Sequence, residues 1–313
     1  MTEVVDRQTG QRRTEPQFAG AGLRLLYGPR LLLPLVDGLI ARRWFSRLLA
    51  WPSTRPASAA RIPAFVRTFG IDMSDYAEQD YASFAEFFTR PFRPGARPVD
   101  AAPGRLVAPA DSKLLAYPVS DDLTFQVKGL AYTLPELLGP PGRPVRAGPA
   151  SGPKSTAAAA GSRTGGGSAA DMSSPRWCLV FRLTVDDGHR YCFVDDCEVV
   201  DSYEVPGALH TVGPYSDRKV RVLARNHRVV TRLDTASFGA VTVVEVGAMV
   251  VGRIYNHRVR QARRGQEKGW FAYGGSTIVL LVGGVRIDED IVGASRAGLE
   301  TKVRLGESVG SRA

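Results

Sequence analysis

The sequence predicts an α+β fold: N-terminal membrane-associated helices followed by a mainly antiparallel, barrel-like β domain. Three observations carry this. Apolar residues recur at helical spacing up to about residue 92, as in Ile62 to Ile71 and Tyr81 to Thr89. Pro91, Pro94, Gly95 and Pro98 then close that region. From Leu106 onward the apolar runs are short and strand-like, with no helix-length repeats between them.

Taken in order, residues 1–21 are polar and charged and read as disordered, with no signal peptide. Residues 22–98 read as a helical, membrane-associating region. Its most apolar part, Leu31 to Ala41, contains Pro34 and Asp37 and is flanked by Arg30, Arg42 and Arg43. A spanning helix needs about 20 apolar residues, so this segment is too short and too broken to cross a bilayer. With Trp44, Phe45 and Trp51 it suits an interfacial helix pair, apolar side chains in the acyl boundary and arginines on phosphates. It equally suits an amphipathic helix packed on the protein. Residues 99–313 read as a β-rich catalytic domain. Val107, Leu114–Ala116, Phe125–Val127, Cys178–Leu183, Val220–Leu223, Val241–Val246 and Ile278–Val282 are its strand-like runs. Residues 139 to about 175 are rich in Gly, Ala, Ser and Pro, cannot bury a core, and read as a mobile insertion.

Composition bounds the function. The 313 residues are 44% hydrophobic, enough for a sizeable core, and the net charge of +10 favours an anionic partner. The charge is spread along the chain, without the basic block, aromatic signature or finger spacing of a nucleic-acid binder, so no nucleic-acid partner is expected. Three cysteines (Cys178, Cys192, Cys197) suggest a reducing compartment, and a four-Cys zinc site is impossible. No metal is expected.

The most informative stretch is Gly274-Gly275-Ser276-Thr277, which runs straight into Ile278-Val279-Leu280-Leu281-Val282. It reads either as a Gly-rich turn or as a place where a chain cuts itself ahead of a serine. Glycines permit unusual backbone angles and leave no Cβ to block an oxygen approaching the preceding carbonyl. Asp111, after Pro109-Ala110, either caps a turn or orients a histidine. Of four histidines, His189 follows the Asp187-Gly188 turn and is displayed at a strand's start, and His210 lies in Gly207-Ala208-Leu209-His210-Thr211-Val212. Histidine moves protons near neutral pH without special tuning.

Set together, these segments resemble the phosphatidylserine decarboxylase family. The likeness runs in order through Phe87-Phe88-Thr89-Arg90, Pro94-Gly95-Ala96-Arg97-Pro98, Pro109-Ala110-Asp111, Asp187 to Tyr191 and Leu209-His210-Thr211-Val212. It continues through Asn226-His227-Arg228, Val246 to Gly252, Gly265 to Gly269 and Gly274-Gly275-Ser276-Thr277. The resemblance implies cleavage between Gly275 and Ser276, giving chains 1–275 and 276–313. Ser276 Oγ attacks the Gly275 carbonyl; elimination and hydrolysis leave a pyruvoyl group, the covalent cofactor. It also implies that an Asp–His pair, Asp111 with His189, activates Ser276. Two departures stand out. Cys192 occupies the position of a second family histidine, and Gly188 that of a common tyrosine. His189 is therefore preferred as base, with His210 the alternative; a thiol of pKa ≈ 8.5 is a poor base at neutral pH.

The implied reaction is decarboxylation of phosphatidylserine to phosphatidylethanolamine, with the pyruvoyl group as electron sink for a substrate joined to it as a Schiff base. The implied partners are phosphatidylserine in an anionic membrane and the two cleavage chains as a heterodimer, open to further dimerisation. The expected location is peripheral, on the cytoplasmic face of the cell membrane. The alternatives are a pyruvoyl-dependent decarboxylase of a soluble amino acid and a membrane-associated relative that does not process itself.

Overall fold

The computed structural model describes residues 2–15, 33–142, 176–211, 220–249, 253–272 and 276–313. Its frame is one ten-stranded sheet. The strands run β13 (Gln261–Ala262), β9 (Cys197–Val205), β10 (Arg228–Thr235), β11 (Gly239–Gly247), β15 (Ser276–Val282), β7 (Arg176–Leu183), β4 (Ser112–Val119), β17 (Glu300–Val303), β1 (Thr2–Asp6) and β2 (Arg12–Glu15). Neighbours are antiparallel except β1 with β17.

β15 shows why this sheet sits at the centre. Ile278, Leu280 and Val282 enter one core, with Phe181, Leu183, Leu114 and Val243. Val279 enters a second core on the opposite face, with Val180, Val244 and Val246. A strand covered on both faces loses the apolar–polar alternation and reads as a continuous apolar run. Two covered faces also explain why the expected barrel is not observed. A barrel wraps one interior, whereas this sheet is a layer between two cores, and it stays open with β13 and β2 at its edges.

Two three-stranded sheets complete the first side: β12 (Ile254–Asn256), β14 (Glu267–Phe271) and β8 (Arg190–Cys192); and β16 (Val285–Ile287), β18 (Ser308–Arg312) and β3 (Arg105–Val107). A hairpin of β5 (Thr124–Val127) and β6 (Leu130–Thr133) belongs to the second side.

The helices are short. α1 (Arg43–Ala50) leaves Trp44, Leu48 and Leu49 exposed. α2 (Ile62–Phe69) ends at Gly70, whose φ of 61° is the left-handed stop that glycine takes without strain. α3 (Phe84–Phe88) is capped by the Ser83 hydroxyl and buries Phe84, Phe87 and Phe88. α4 (Leu134–Leu138) carries a capping box of Thr133 and Glu136. α5 (Val222–Arg225) corrects the strand expected at Val220–Leu223; a short apolar run does not distinguish helix from strand. α6 (Glu289–Arg296) lies against β4, where the Ser295 hydroxyl receives Ala116 N–H at 2.9 Å. Among the described residues, no helix is long and apolar enough to cross a membrane.

The disordered start is corrected for residues 2–15, which form the β1–β2 hairpin. Its polar composition misled because it buries little beyond Val4. It is held instead by pairing with β17 and by the ion pairs of Arg7. Residues 16–32, most of the insertion (143–175) and Gly275 lie outside the described residues.

Candidate functional site

Ser276 opens β15, paired with Gly247 on β11 and Leu183 on β7. It is fully buried, and its Oγ has no hydrogen-bond partner among the described residues. An unsatisfied buried hydroxyl costs about 1–3 kcal/mol, so it calls for a reason.

His189 sits in the turn after β7. Asp187 builds that turn: its carboxylate receives Thr184 N–H at 2.7 Å and Lys113 Nζ at 2.8 Å. Burial, working against Lys113, pushes the Asp187 carboxyl up to about 6. Gly188 follows, and a Cβ there would lie 2.5 Å from Phe92. The Asp187 carbonyl lies 2.9 Å from His189 Nδ1, and Phe88 packs on the imidazole at 3.9 Å between centroids. The other nitrogen, Nε2, is buried with no partner among the described residues. Burial first, and the Arg90 charge second, lower the imidazole's pKa to about 3, so it is neutral at physiological pH.

Arg90 packs beside the His189 turn, a placement that composition did not reveal. It is fully buried between the rings of Tyr76 (4.3 Å) and Phe87 (4.6 Å). Nη2 donates to the Asp186 carbonyl at 2.8 Å and touches the Asp187 carbonyl at 3.5 Å. Arg90 thus holds the backbone from which His189 projects. Its only earlier signal was its place in Phe87-Phe88-Thr89-Arg90.

The His189 segment borders both ends of residues 273–275. Phe271 N–H, just before them, donates to the His189 carbonyl at 2.9 Å, and Ser276, just after them, pairs with Leu183. Ser276 thus pairs with the strand whose following turn carries His189, and each has a buried polar atom with no hydrogen-bond partner among the described residues.

Asp111 is placed differently from a histidine's partner. Arg97 grips it bidentately, Nε to Oδ1 at 2.9 Å and Nη2 to Oδ2 at 2.6 Å, and Leu305 N–H donates to Oδ1 at 2.8 Å. Among the described residues, no hydrogen bond or ion pair joins Asp111 to His189. Its turn instead meets Cys192, whose N–H donates to the Pro109 carbonyl at 2.8 Å. Burial pushes the Cys192 thiol up to about 12, which removes it as a base near neutrality.

His210 reaches the Ser276 region through Asn226. The Asn226 amide donates to the His210 carbonyl (2.9 Å) and to the Gly247 carbonyl (2.8 Å), and its oxygen accepts His210 N–H at 3.1 Å. Gly247 is the residue opposite Ser276. The His210 Nε2 lies 3.2 Å from Asp37, which ties it to the N-terminal helical region. Burial lowers its pKa as well.

Sequence reasoning also missed a buried ion pair near this face. Lys268 contacts Glu245, Asn256 at 3.0 Å and Thr231 at 3.1 Å. Among the described residues no group of three or more His, Cys, Asp or Glu side chains is arranged to hold a metal ion.

The described structure is an open α+β sheet with a buried serine at the head of a central strand and a buried histidine in the turn that follows the neighbouring strand β7. The family model described as phosphatidylserine decarboxylase matches residues 84–311. Phosphatidylserine decarboxylase proenzyme 2 of Clostridium acetobutylicum is 38% identical over 311 residues, covering 98% of this chain and 97% of that protein. The phosphatidylserine decarboxylase proenzyme of Desulfitobacterium hafniense is 32% identical, covering 100% and 99%. That of Chlamydia felis is 33% identical, covering 98% and 97%. The chain belongs to the phosphatidylserine decarboxylase family.

Proposed function

We propose that this protein decarboxylates phosphatidylserine to phosphatidylethanolamine and CO2, using a pyruvoyl group that it makes from its own Ser276. The observation that carries the reading is the pair of buried atoms, Ser276 Oγ and His189 Nε2, that have no hydrogen-bond partner among the described residues, one at the head of β15 and the other in the turn after β7, the strand that pairs with it. A buried hydroxyl and a buried imidazole of this kind fit a serine that is consumed to form the prosthetic group.

His189, held neutral, accepts the proton as Ser276 Oγ attacks the Gly275 carbonyl. The peptide becomes an ester, and elimination releases Gly275 as a carboxylate. The remaining dehydroalanine takes up water and loses ammonia. Asn226 keeps the Gly247 and His210 segments in place on the opposite side of Ser276. Asp111, through Arg97 and the Pro109 carbonyl, fixes the wall that carries Cys192. The pyruvoyl group supplies the electron sink for loss of CO2. The decarboxylated carbon then takes up a proton relayed through the His189 imidazole, which enters and leaves the step neutral, and its complete burial keeps bulk water away.

A lipid substrate requires a bilayer-facing surface. Leu35, Leu39, Trp44, Leu48, Leu49 and Trp51 are exposed together in one stretch of the N-terminal region, interleaved with arginines, and Arg55 lies over the Trp51 ring at 4.1 Å. This composition supports a peripheral protein on the cytoplasmic face, apolar side chains in the interface and cations on anionic headgroups. A surface hollow of ≈ 520 Å³ between residues 60 and 84, lined by Ala60, Ala64, Phe65, Thr68, Phe69 and Phe84 with Arg61, adds apolar surface to the N-terminal region. The two chains from cleavage remain together as a heterodimer, because β15 lies in mid-sheet.

Intact mass spectrometry tests the reading. The expected product is a fragment of residues 276–313 whose first residue lacks its amine. Cyanoborohydride with phosphatidylserine should trap an adduct on it, and Ser276→Ala should stay uncut and inactive. An uncut wild-type chain that still releases CO2 would overturn the proposal.

A further inference from the structure

The β1–β2 hairpin touches both chains that cleavage at Ser276 creates. On one side, β1 pairs with β17 through Val4–Glu300, Val5–Thr301 and Asp6–Lys302. Arg7, next in sequence, contacts Asp288 (2.5 Å), Asp290 (2.7 Å), Glu307 (3.4 Å) and the Ser308 carbonyl. All of these partners lie within residues 276–313. On the other side, Glu15 at the end of β2 contacts Arg182 (2.6 Å), Lys113 (3.3 Å) and the Thr184 hydroxyl (3.4 Å). All of those lie before the cut. Lys113 and Thr184 are also the groups that hold Asp187, two residues ahead of His189.

We infer that residues 2–15 form an interaction surface whose partner is the protein's own C-terminal chain, a clasp that seats that chain against the His189 segment. The inference rests on the self-cleavage reading. Cleavage removes the covalent tie between the segment ending at Gly275 and β15. The distal part of the short chain then depends on non-covalent contacts. On its far side β17 pairs with β4, through Thr301–Leu114, Lys302–Lys113 and Val303–Ser112, and Glu300 meets Arg182 and Lys128. Without β1 it would become an exposed sheet edge, open to fraying. One guanidinium meeting three carboxylates of the short chain is well suited to prevent this, because its fork donates in several directions at once.

The test uses the full chain after self-cleavage, with Arg7→Ala, Arg7→Lys and Glu15→Gln. Denaturing mass spectrometry first reports whether residues 276–313 appear. Hydrogen exchange then reports the Glu300–Val303 amides against those of β11 as an internal reference. In Arg7→Ala the fragment should form as in wild type, while the Glu300–Val303 amides exchange at least roughly ten-fold faster and β11 is unchanged. Arg7→Lys, which keeps the charge and loses the fork, should fall between. Glu15→Gln should lower decarboxylation several-fold with the fragment still made. If Arg7→Ala and Arg7→Lys yield the fragment and exchange at the wild-type rate, the clasp is wrong and self-cleavage stands. If wild type shows no fragment, self-cleavage fails and the inter-chain clasp fails with it.

Discussion

Replacing Arg90 by methionine should both loosen the fold and shift the pH range of self-cleavage. The side chain's hydrogen-bond partners among the described residues are uncharged: the Asp186 carbonyl (2.8 Å), the Phe87 carbonyl (3.3 Å), the Tyr76 hydroxyl (3.3 Å) and the Asp187 carbonyl (3.5 Å). Each buried acceptor left unsatisfied costs about 1–3 kcal/mol, and each cation–π contact is worth about 0.5–2 kcal/mol. Removing a buried cation recovers part of that loss. The net expectation is a loss of about 2–5 kcal/mol, or roughly 3–8 °C in Tm for a chain of this size. The pH effect has a definite sign. The Arg90 charge, after burial, is what holds His189 protonation down. Without it, His189 takes up a proton more readily and its pKa rises from about 3. The acid limb of self-cleavage should therefore move to higher pH in Arg90→Met and stay put in Arg90→Lys. Proenzyme made by cell-free translation and shifted across a pH series, with fragment appearance followed on gels, measures this. A folded Arg90→Met protein whose acid limb coincides with wild type would refute the argument that Arg90 tunes His189.

Further outcomes follow from the same structure. His189, His210 and His227 are all held neutral by burial, to about 3 for His189 and about 4 for His227. Their contribution to stability is present above the unfolded histidine pKa of about 6.5 and is lost as pH falls below it. Asp187, raised to about 6, works the other way: its contribution is present at low pH and is lost as pH rises through 6. Urea midpoints should therefore drop from pH 7 to pH 5, and a midpoint that rises would contradict the histidine assignment. Lys268→Met leaves Glu245 buried and uncompensated and should cost about 3–5 kcal/mol, while Lys268→Met with Glu245→Leu should recover most of it in the same denaturation experiment. Equal losses in single and double variants would show that the pair is not coupled. Trp44→Ser with Leu48→Ser should weaken binding to anionic vesicles by roughly ten-fold or more with little change in Tm, since both side chains are exposed. Unchanged vesicle binding would remove this surface as the membrane contact.

Much of the strand that begins at Ser276 was legible in order along the chain. Ser276-Thr277-Ile278-Val279-Leu280-Leu281-Val282 is apolar throughout because both of its faces are covered, and a run of that kind survives in the sequence as a plain signal. His189 was also legible, because a turn residue pair and a titratable side chain are local features. The partners of those residues were not. Asp111 looked like a histidine's companion, yet the fold hands it to Arg97, and nothing in the Pro109-Ala110-Asp111 turn encodes which cation will arrive. Lys268 and Glu245 lie on different strands, so their pairing exists only once β11 and β14 are packed.

The amino-acid order alone determined the strand that begins at Ser276, the histidine turn, the capped helix ends and the family, since these depend on neighbours a few residues apart or on motifs in sequence. The tertiary structure alone decided that the sheet stays open between two cores, that His189 is neutral, that Arg90 stands behind it, and that a polar start becomes a hairpin. These depend on burial and on charges brought together from distant positions, and a linear chain carries no record of either until it has folded.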